Sequence, residues 1–80
     1  MTVLKEVVLE YGEELSILAY VLIGDPDIAG RIVLQVLSDL NRSHRLDPEA
    51  PYLFPFLCQE LRSACKIYRW MQEDEIVNFG

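Results

Sequence analysis

The chain has 80 residues, of which 51% are apolar and 25% charged, with four glycines and four prolines. These proportions are typical of one soluble globular domain and exclude a disordered or low-complexity chain. A chain of this length builds one small core, and it holds a single His and no Gly-rich phosphate-binding loop. We therefore expect a protein that binds other macromolecules, rather than an enzyme with a small-molecule substrate or a cofactor.

The net charge is −6, with thirteen acidic against seven basic residues, which opposes non-specific attraction to nucleic acid and to anionic lipid. The charges are unevenly distributed: residues 1–30 carry a net −5, residues 31–69 a net +2, and residues 70–80 a net −3. We expect an acidic first helix and a mildly basic middle segment to occupy different faces.

Neither a secretion signal nor a membrane span is predicted. The N-terminus lacks a basic region followed by an apolar run and a cleavage site, and the longest apolar stretch, residues 17–23, is far below the roughly 20 residues of a spanning helix. We expect a cytoplasmic protein without membrane contact. Cys58 and Cys65 would lie about 10 Å apart along one helix, beyond disulfide reach, so we predict reduced core thiols. Since His44 is the only imidazole, no metal site is expected.

Apolar residues recur every three or four positions in three segments, which predicts three helices. The first runs from Thr2 to Ile23 and is stopped by Gly24. A capping sequence, Asp25-Pro26-Asp27, starts the second helix, which runs to about Asn41. The third runs from about Pro55 to Gln72. Two interpretations of the segment before it stay open: a plain loop, or a loop with an extra short helical turn near residues 48–54.

These elements predict an all-α three-helix bundle. We expect one helical domain over residues 1–72, followed by an acidic tail over residues 73–80.

A basic stripe on the third helix is one candidate site. Arg62, Lys66 and Arg69 are spaced i, i+4, i+7 and share one helix face. Such a stripe can contact phosphates, while exposed aromatic residues stack on unpaired bases; Tyr52, Phe54 and Trp70 are the aromatic residues in reach. A solvated face whose charges pair with acidic neighbours is the alternative, because three charges over two turns are ordinary.

Leu34 is a second candidate, because it lies off the apolar stripe of the second helix. Two interpretations stay open: it forms an exposed apolar patch for a partner or a second copy of the chain, or it packs against the tail or the aromatic residues before the third helix.

The order of motifs resembles the second conserved region of bacterial sigma factors of the extracytoplasmic-function type, over about residues 8 to 70. The residues that carry the resemblance are Tyr11-Gly12, Leu15, Leu18-Ala19-Tyr20, Leu22, Gly24-Asp25, Ala29, Val33, Val36, Leu37 and Asp47-Pro48-Glu49. The resemblance implies a helical bundle whose second helix docks on the RNA polymerase clamp. It also implies that the third helix and the loop before it contact melted promoter DNA.

The sequence departs from that family on the second helix. Gly30 and Arg31 stand where the family has a glutamate-aspartate pair, and Leu34 and Gln35 stand where it has a glutamine-glutamate pair. A reversed charge at a docking surface weakens association by repulsion and by lost pairing. Within these 80 residues we also expect no helix-turn-helix DNA-binding domain after this region.

Two functions are therefore expected as alternatives. In the first, the chain is a degenerate sigma-like module of transcription control that binds a regulatory protein, such as an anti-sigma factor, or itself. In the second, it is part of a split sigma factor completed by a second sigma-like polypeptide, and it binds RNA polymerase and promoter DNA. The candidate partner-binding residues are Arg31, Leu34, Gln35 and Asp39, and the candidate DNA-binding residues are Arg62, Lys66 and Arg69.

Overall fold

The computed structural model describes residues 2–79, with side chains described from residue 3 to residue 72, and it contains three helices: α1 (Thr2–Ile23), α2 (Pro26–Arg42) and α3 (Leu53–Phe79). The helices make up 83% of the chain, and residues 2–79 contain no strand. The predicted all-α three-helix bundle is confirmed.

A two-residue turn joins α1 to α2. Gly24 has a φ of 86°, a conformation that costs a residue with a Cβ, and its N–H donates to the Tyr20 carbonyl at 2.7 Å. The next residue, Asp25, caps α2: its carboxylate accepts from the N–H groups of Asp27 at 2.9 Å and Ile28 at 3.1 Å. The turn therefore begins and ends as the sequence predicts.

The C-terminus of α2 ends in a Schellman motif, with His44 in the left-handed position where glycine is usual. His44 has a φ of 59°. The Arg45 N–H donates to the Leu40 carbonyl at 2.9 Å, and the His44 N–H donates to the Asn41 carbonyl at 3.2 Å. Leu46, just beyond the motif, is buried in the core.

Both ends of α3 differ from the prediction. The loop forms two hydrogen-bonded turns, from Ala50 N–H to the Asp47 carbonyl and from Leu53 N–H to the Ala50 carbonyl, that lead directly into the helix rather than making a separate short one. Pro55 lies in the first turn of α3, where its missing N–H has no helical partner to lose. The helix also ends at Phe79 and not at Gln72, so the acidic segment is helical up to residue 79. The division into a domain and a tail at residue 72 stays a prediction.

The helices alternate in direction. Tyr11 of α1 stacks on Phe54 at the start of α3, with ring centroids 5.2 Å apart, whereas Leu22 at the end of α1 lines a groove with Cys65 of α3. Hence α1 and α3 run parallel, and α2 runs back between their ends. The bundle measures 48 × 22 × 21 Å. Its buried core is Val7, Leu15, Ala19, Ala29, Val33, Leu37, Leu40, Leu46, Leu53, Leu57, Leu61 and Cys65.

Candidate functional site

The three basic residues predicted on α3 border one groove, between α3 and the C-terminal half of α1. This basic groove has a volume of about 370 Å³. Leu22 and Cys65 provide its apolar wall, and Trp70, which is 70% exposed, lies beside the cations. The remaining lining residues are Arg62, Lys66 and Arg69.

Within the side chains described for residues 3–72, no carboxylate lies within 4.0 Å of the cations of the basic groove. Glu60, an acidic residue on the same helix, instead approaches Arg45 at 3.9 Å, and the Arg45 guanidinium also lies 5.3 Å from the centre of the Phe56 ring. Within this part of the chain, the ion pairs that the solvated-face interpretation predicts for Arg62, Lys66 and Arg69 are therefore not formed.

Of the aromatic residues considered for base stacking, only one borders the basic groove. Phe54 is already stacked on Tyr11. Tyr52 is 76% exposed, but it immediately precedes α3 and therefore lies at the opposite end of that helix from Trp70. A ring available beside Arg62, Lys66 and Arg69 is therefore that of Trp70.

The four partner-binding candidates on α2 are all exposed, but they lie on two sides of the helix. Leu34 lines a groove between α2 and α1. Gln35 and Asp39 line a different groove, between α2 and α3. Arg31 lies on the outer surface between the two sides. The sequence alone does not separate them, because positions 34, 35 and 39 are all off the core stripe.

Asp39 is the centre of a small polar network on α2. Its carboxylate accepts from the Gln35 amide at 3.0 Å and pairs with the Arg42 guanidinium at 2.5 Å. All three side chains are exposed, so the network contributes little to folding stability. A partner can therefore replace these contacts at small cost.

Leu34 is 57% exposed, and the groove beside it has a volume of about 500 Å³. Its floor is open because two glycines face it: a Cβ on Gly30 would meet no atom within 4 Å, and one on Gly12 would meet only the Val8 side chain at 3.5 Å. We call this the Leu34 groove. Of the two interpretations of Leu34, the exposure favours the apolar patch.

A second set of exposed apolar residues, on the outer side of α1, is not among the sites predicted from the sequence. Ile17 is 59% exposed, Tyr20 is 51% exposed and Val21 is 73% exposed. The signal is present in the sequence, because these residues lie outside the stripe that contains Leu15, Leu18 and Leu22. Another exposed pair, Ile67 and Met71, borders the α2–α3 groove and likewise belongs to no predicted site.

Among the described side chains, Cys65 and Tyr11 have pKa values raised by their surroundings. Burial raises the pKa of the Cys65 thiol, which is fully buried, whereas Cys58 is half-buried. The pKa of Tyr11 is raised first by burial, and then by the negative charges of Glu10 and Glu14. Cys65 belongs to the buried core, and Tyr11 packs against that core with its ring stacked on Phe54.

Among the described residues, no three His, Cys, Asp or Glu side chains come close enough together to hold a metal ion. In the same part of the chain, no helix combines the length and the apolar character that a membrane span requires. No family model, curated protein or solved structure matches this chain. The class that the fold defines is a small three-helix bundle, and the resemblance to sigma factors stays a prediction.

Proposed function

We propose that this chain is a sigma-like module of transcription control that binds a regulatory protein in the cytoplasm through α2. The observation that carries the proposal is the exposure of Leu34, 57%, at the edge of a groove floored by two glycines. An exposed leucine beside open space offers a partner both an apolar contact and a recess for a side chain of its own.

The size of that contact is sufficient to matter. Burying a leucine side chain completely contributes about 1.5–3 kcal/mol, and roughly half of that remains to be gained at Leu34. The groove adds room for a partner side chain, since alanine-sized groups would fit above Gly30 without displacing any atom.

Specificity would come from exposed polar residues elsewhere on α2: Arg31 on its outer surface, and Gln35 and Asp39 on the side that faces α3. Arg31 is exposed, and its guanidinium can bind a carboxylate of the partner that lies opposite it. Gln35 and Asp39 offer amide and carboxylate groups held by weak contacts within the helix. A partner that presents an apolar side chain beside an acidic group is therefore preferred over the RNA polymerase clamp that sigma factors bind, since Arg31 reverses the charge that the resemblance implies.

A photo-crosslinking amino acid at position 34 tests the proposal. Position 9 is the matched control, because Leu9 is a leucine, 76% exposed, that lines a different groove. In cells of the source organism, position 34 should crosslink to a regulatory protein that position 9 does not capture. Equal crosslinking at both positions would contradict the proposal, and specific crosslinking of 34 to polymerase would favour the second function.

The second function, a subunit of a split sigma factor, is favoured by the basic groove with Trp70 beside it. Replacing Arg62, Lys66 and Arg69 together by Ala should then abolish a salt-sensitive affinity for single-stranded promoter DNA. In addition, Arg31→Glu should strengthen binding to the clamp by restoring the acidic charge. Unchanged binding in both assays would exclude this function.

A further inference from the structure

The side of the bundle formed by α1 and α3 carries opposite charges at its two ends. Four exposed residues of α1 follow the spacing i, i+4, i+7, i+11 and so form one stripe: Glu10, Glu14, Ile17 and Val21. The acidic end of this stripe lies beside the start of α3, because Glu10 lines a groove with Tyr11 and Leu53.

The basic groove lies at the other end of the same side. It contains Leu22, one residue after the end of the stripe, together with the cations of α3. Along this side of the bundle, the two carboxylates come first, then the apolar Ile17 and Val21, and then the cations Arg62, Lys66 and Arg69. Within the described side chains, neither charged group has a partner of opposite sign within 4.0 Å.

We infer that this side binds a second copy of the chain in a two-fold symmetric dimer, with the acidic end of each copy against the basic groove of the other. The two carboxylates are centred near position 12 of α1, and Leu22 lies in the basic groove. Ile17 is midway between these two points, about 8 Å along the helix from each. A two-fold axis that passes Ile17 perpendicular to α1 therefore places the acidic end of each copy opposite the basic groove of the other. Such an isologous contact uses the same surface twice.

The centre of the proposed contact is apolar. Ile17 is 59% exposed and Val21 is 73% exposed, and the antiparallel arrangement covers both in each copy. The apolar centre with charged ends is the usual anatomy of a protein interface. The side of the bundle, 48 × 22 Å, has room for the roughly 800 Å² per partner that a specific interface buries.

Charge complementarity also favours a second copy over nucleic acid on this side. A polyanion that extended from the basic groove along this side of the bundle would meet Glu10 and Glu14, whereas a second copy supplies carboxylates only where the cations are. The inference is independent of the proposed function, because Leu34 lies in the groove on the α2 side of α1.

Sedimentation velocity of the whole chain, with two adjacent charge reversals, tests this inference. Glu14→Lys places a cation opposite the basic groove twice per dimer, and it should weaken dimerisation about tenfold or more. Glu13→Lys makes the same charge change next to it but points into the Leu34 groove, and it should leave the dimer within about twofold of the wild type.

A mixing experiment provides the second arm. Lys66→Glu alone should weaken dimerisation to a similar extent as Glu14→Lys. An equimolar mixture of the two variants should restore the dimer, because each variant then offers the charge that the other needs. Both positions are exposed, so helix content by circular dichroism should not change in either variant.

Three results would overturn the inference: a wild-type chain that stays monomeric at several hundred micromolar, equal effects of the reversals at positions 13 and 14, or a mixture that remains monomeric. A dimer that survives Glu14→Lys but is lost in Leu34→Glu would also overturn it, and would assign self-association to the Leu34 groove. Loss of partner crosslinking at position 34 with an intact dimer would instead reject only the proposed function.

Discussion

Leu34 and Leu37 lie less than one turn apart on α2, yet Leu34 is 57% exposed and Leu37 is 1% exposed. A helix places residues three positions apart on overlapping but distinct faces, and here one faces a surface groove and the other the core. The pair therefore separates what the chain needs for folding from what we propose it needs for binding.

Replacing each leucine by Ala should have very different effects on stability. Leu37→Ala leaves a cavity in the core and should cost about 2–5 kcal/mol, a large part of the total for a small domain. Leu34→Ala removes only the contacts of a half-exposed side chain and should cost about 1 kcal/mol or less. Urea denaturation followed by circular dichroism measures both, and equal losses would show that Leu34 belongs to the core.

The same substitution should have opposite effects at two glycines. Gly24 has a φ of 86°, so Gly24→Ala forces a Cβ into the left-handed region and should destabilise the fold by about 1 kcal/mol. Gly30 is inside α2, and a methyl group added there would meet no atom within 4 Å, so Gly30→Ala should stabilise the fold by about 0.5–1 kcal/mol. Thermal unfolding of the two variants should shift the midpoint in opposite directions.

His44 stores strain at the end of α2. Its φ of 59° is costly for a residue with a Cβ, and glycine would remove that cost. Glycine also has greater freedom in the unfolded chain, which offsets part of the gain. The net effect of His44→Gly should be a stabilisation of about 0.5 kcal/mol. Ser38→Gly is the matched control inside the same helix, where glycine has no conformational advantage. It should destabilise the fold, and a similar gain in both variants would argue against strain at His44.

Stability should depend on pH through Tyr11. Because burial and then Glu10 and Glu14 raise the pKa of Tyr11, the folded chain holds this proton more tightly than the unfolded chain does. The contribution is present below pH about 10, where an unfolded tyrosine titrates, and is lost as the pH rises through the higher pKa of the folded state. Denaturation of wild type and Tyr11→Phe at neutral and alkaline pH measures it.

The same group gives a titration that needs no unfolding. The titration of Tyr11 is obtained as the absorbance difference between a chain with Tyr11 and the same chain with Tyr11→Phe. In a chain that also carries Glu10→Gln, the pKa of Tyr11 should fall towards its ordinary value, because a nearby negative charge is removed. Glu13→Gln should have a smaller effect, since Glu13 is not among the residues that raise this pKa. An unchanged pKa in both variants would show that burial alone accounts for the raised value.

Helix positions are largely predictable from the sequence where a local signal marks an end. Gly24 and Asp25 set the boundary between α1 and α2 within a residue, because both act through hydrogen bonds to their immediate neighbours. The predicted start of α3, Pro55, is two residues later than the observed start, Leu53, because the first helical turn tolerates a proline that would end a helix elsewhere. The predicted end is early because the acidic residues after Gln72 carry no apolar period.

The arrangement of the candidate site is only partly predictable. The helical period alone places Arg62, Lys66 and Arg69 on one face, as the structure shows. It does not say that Leu34 and Gln35 face different neighbours, because that depends on where α1 and α3 pack around α2. The period does show that Ile17 and Val21 lie off the core stripe of α1, but whether another helix covers them depends on the same packing.

The parallel course of α1 and α3 determines where attached sequences would lie. An odd number of antiparallel passes makes the chain enter at one end of a 48 Å rod and leave at the other, so a label joined before Thr2 and one joined after Phe79 stand far apart. A label before Thr2 lies towards the carboxylates, and one after Phe79 lies towards the cations. The choice of tagged end therefore decides which charged region an affinity matrix obstructs.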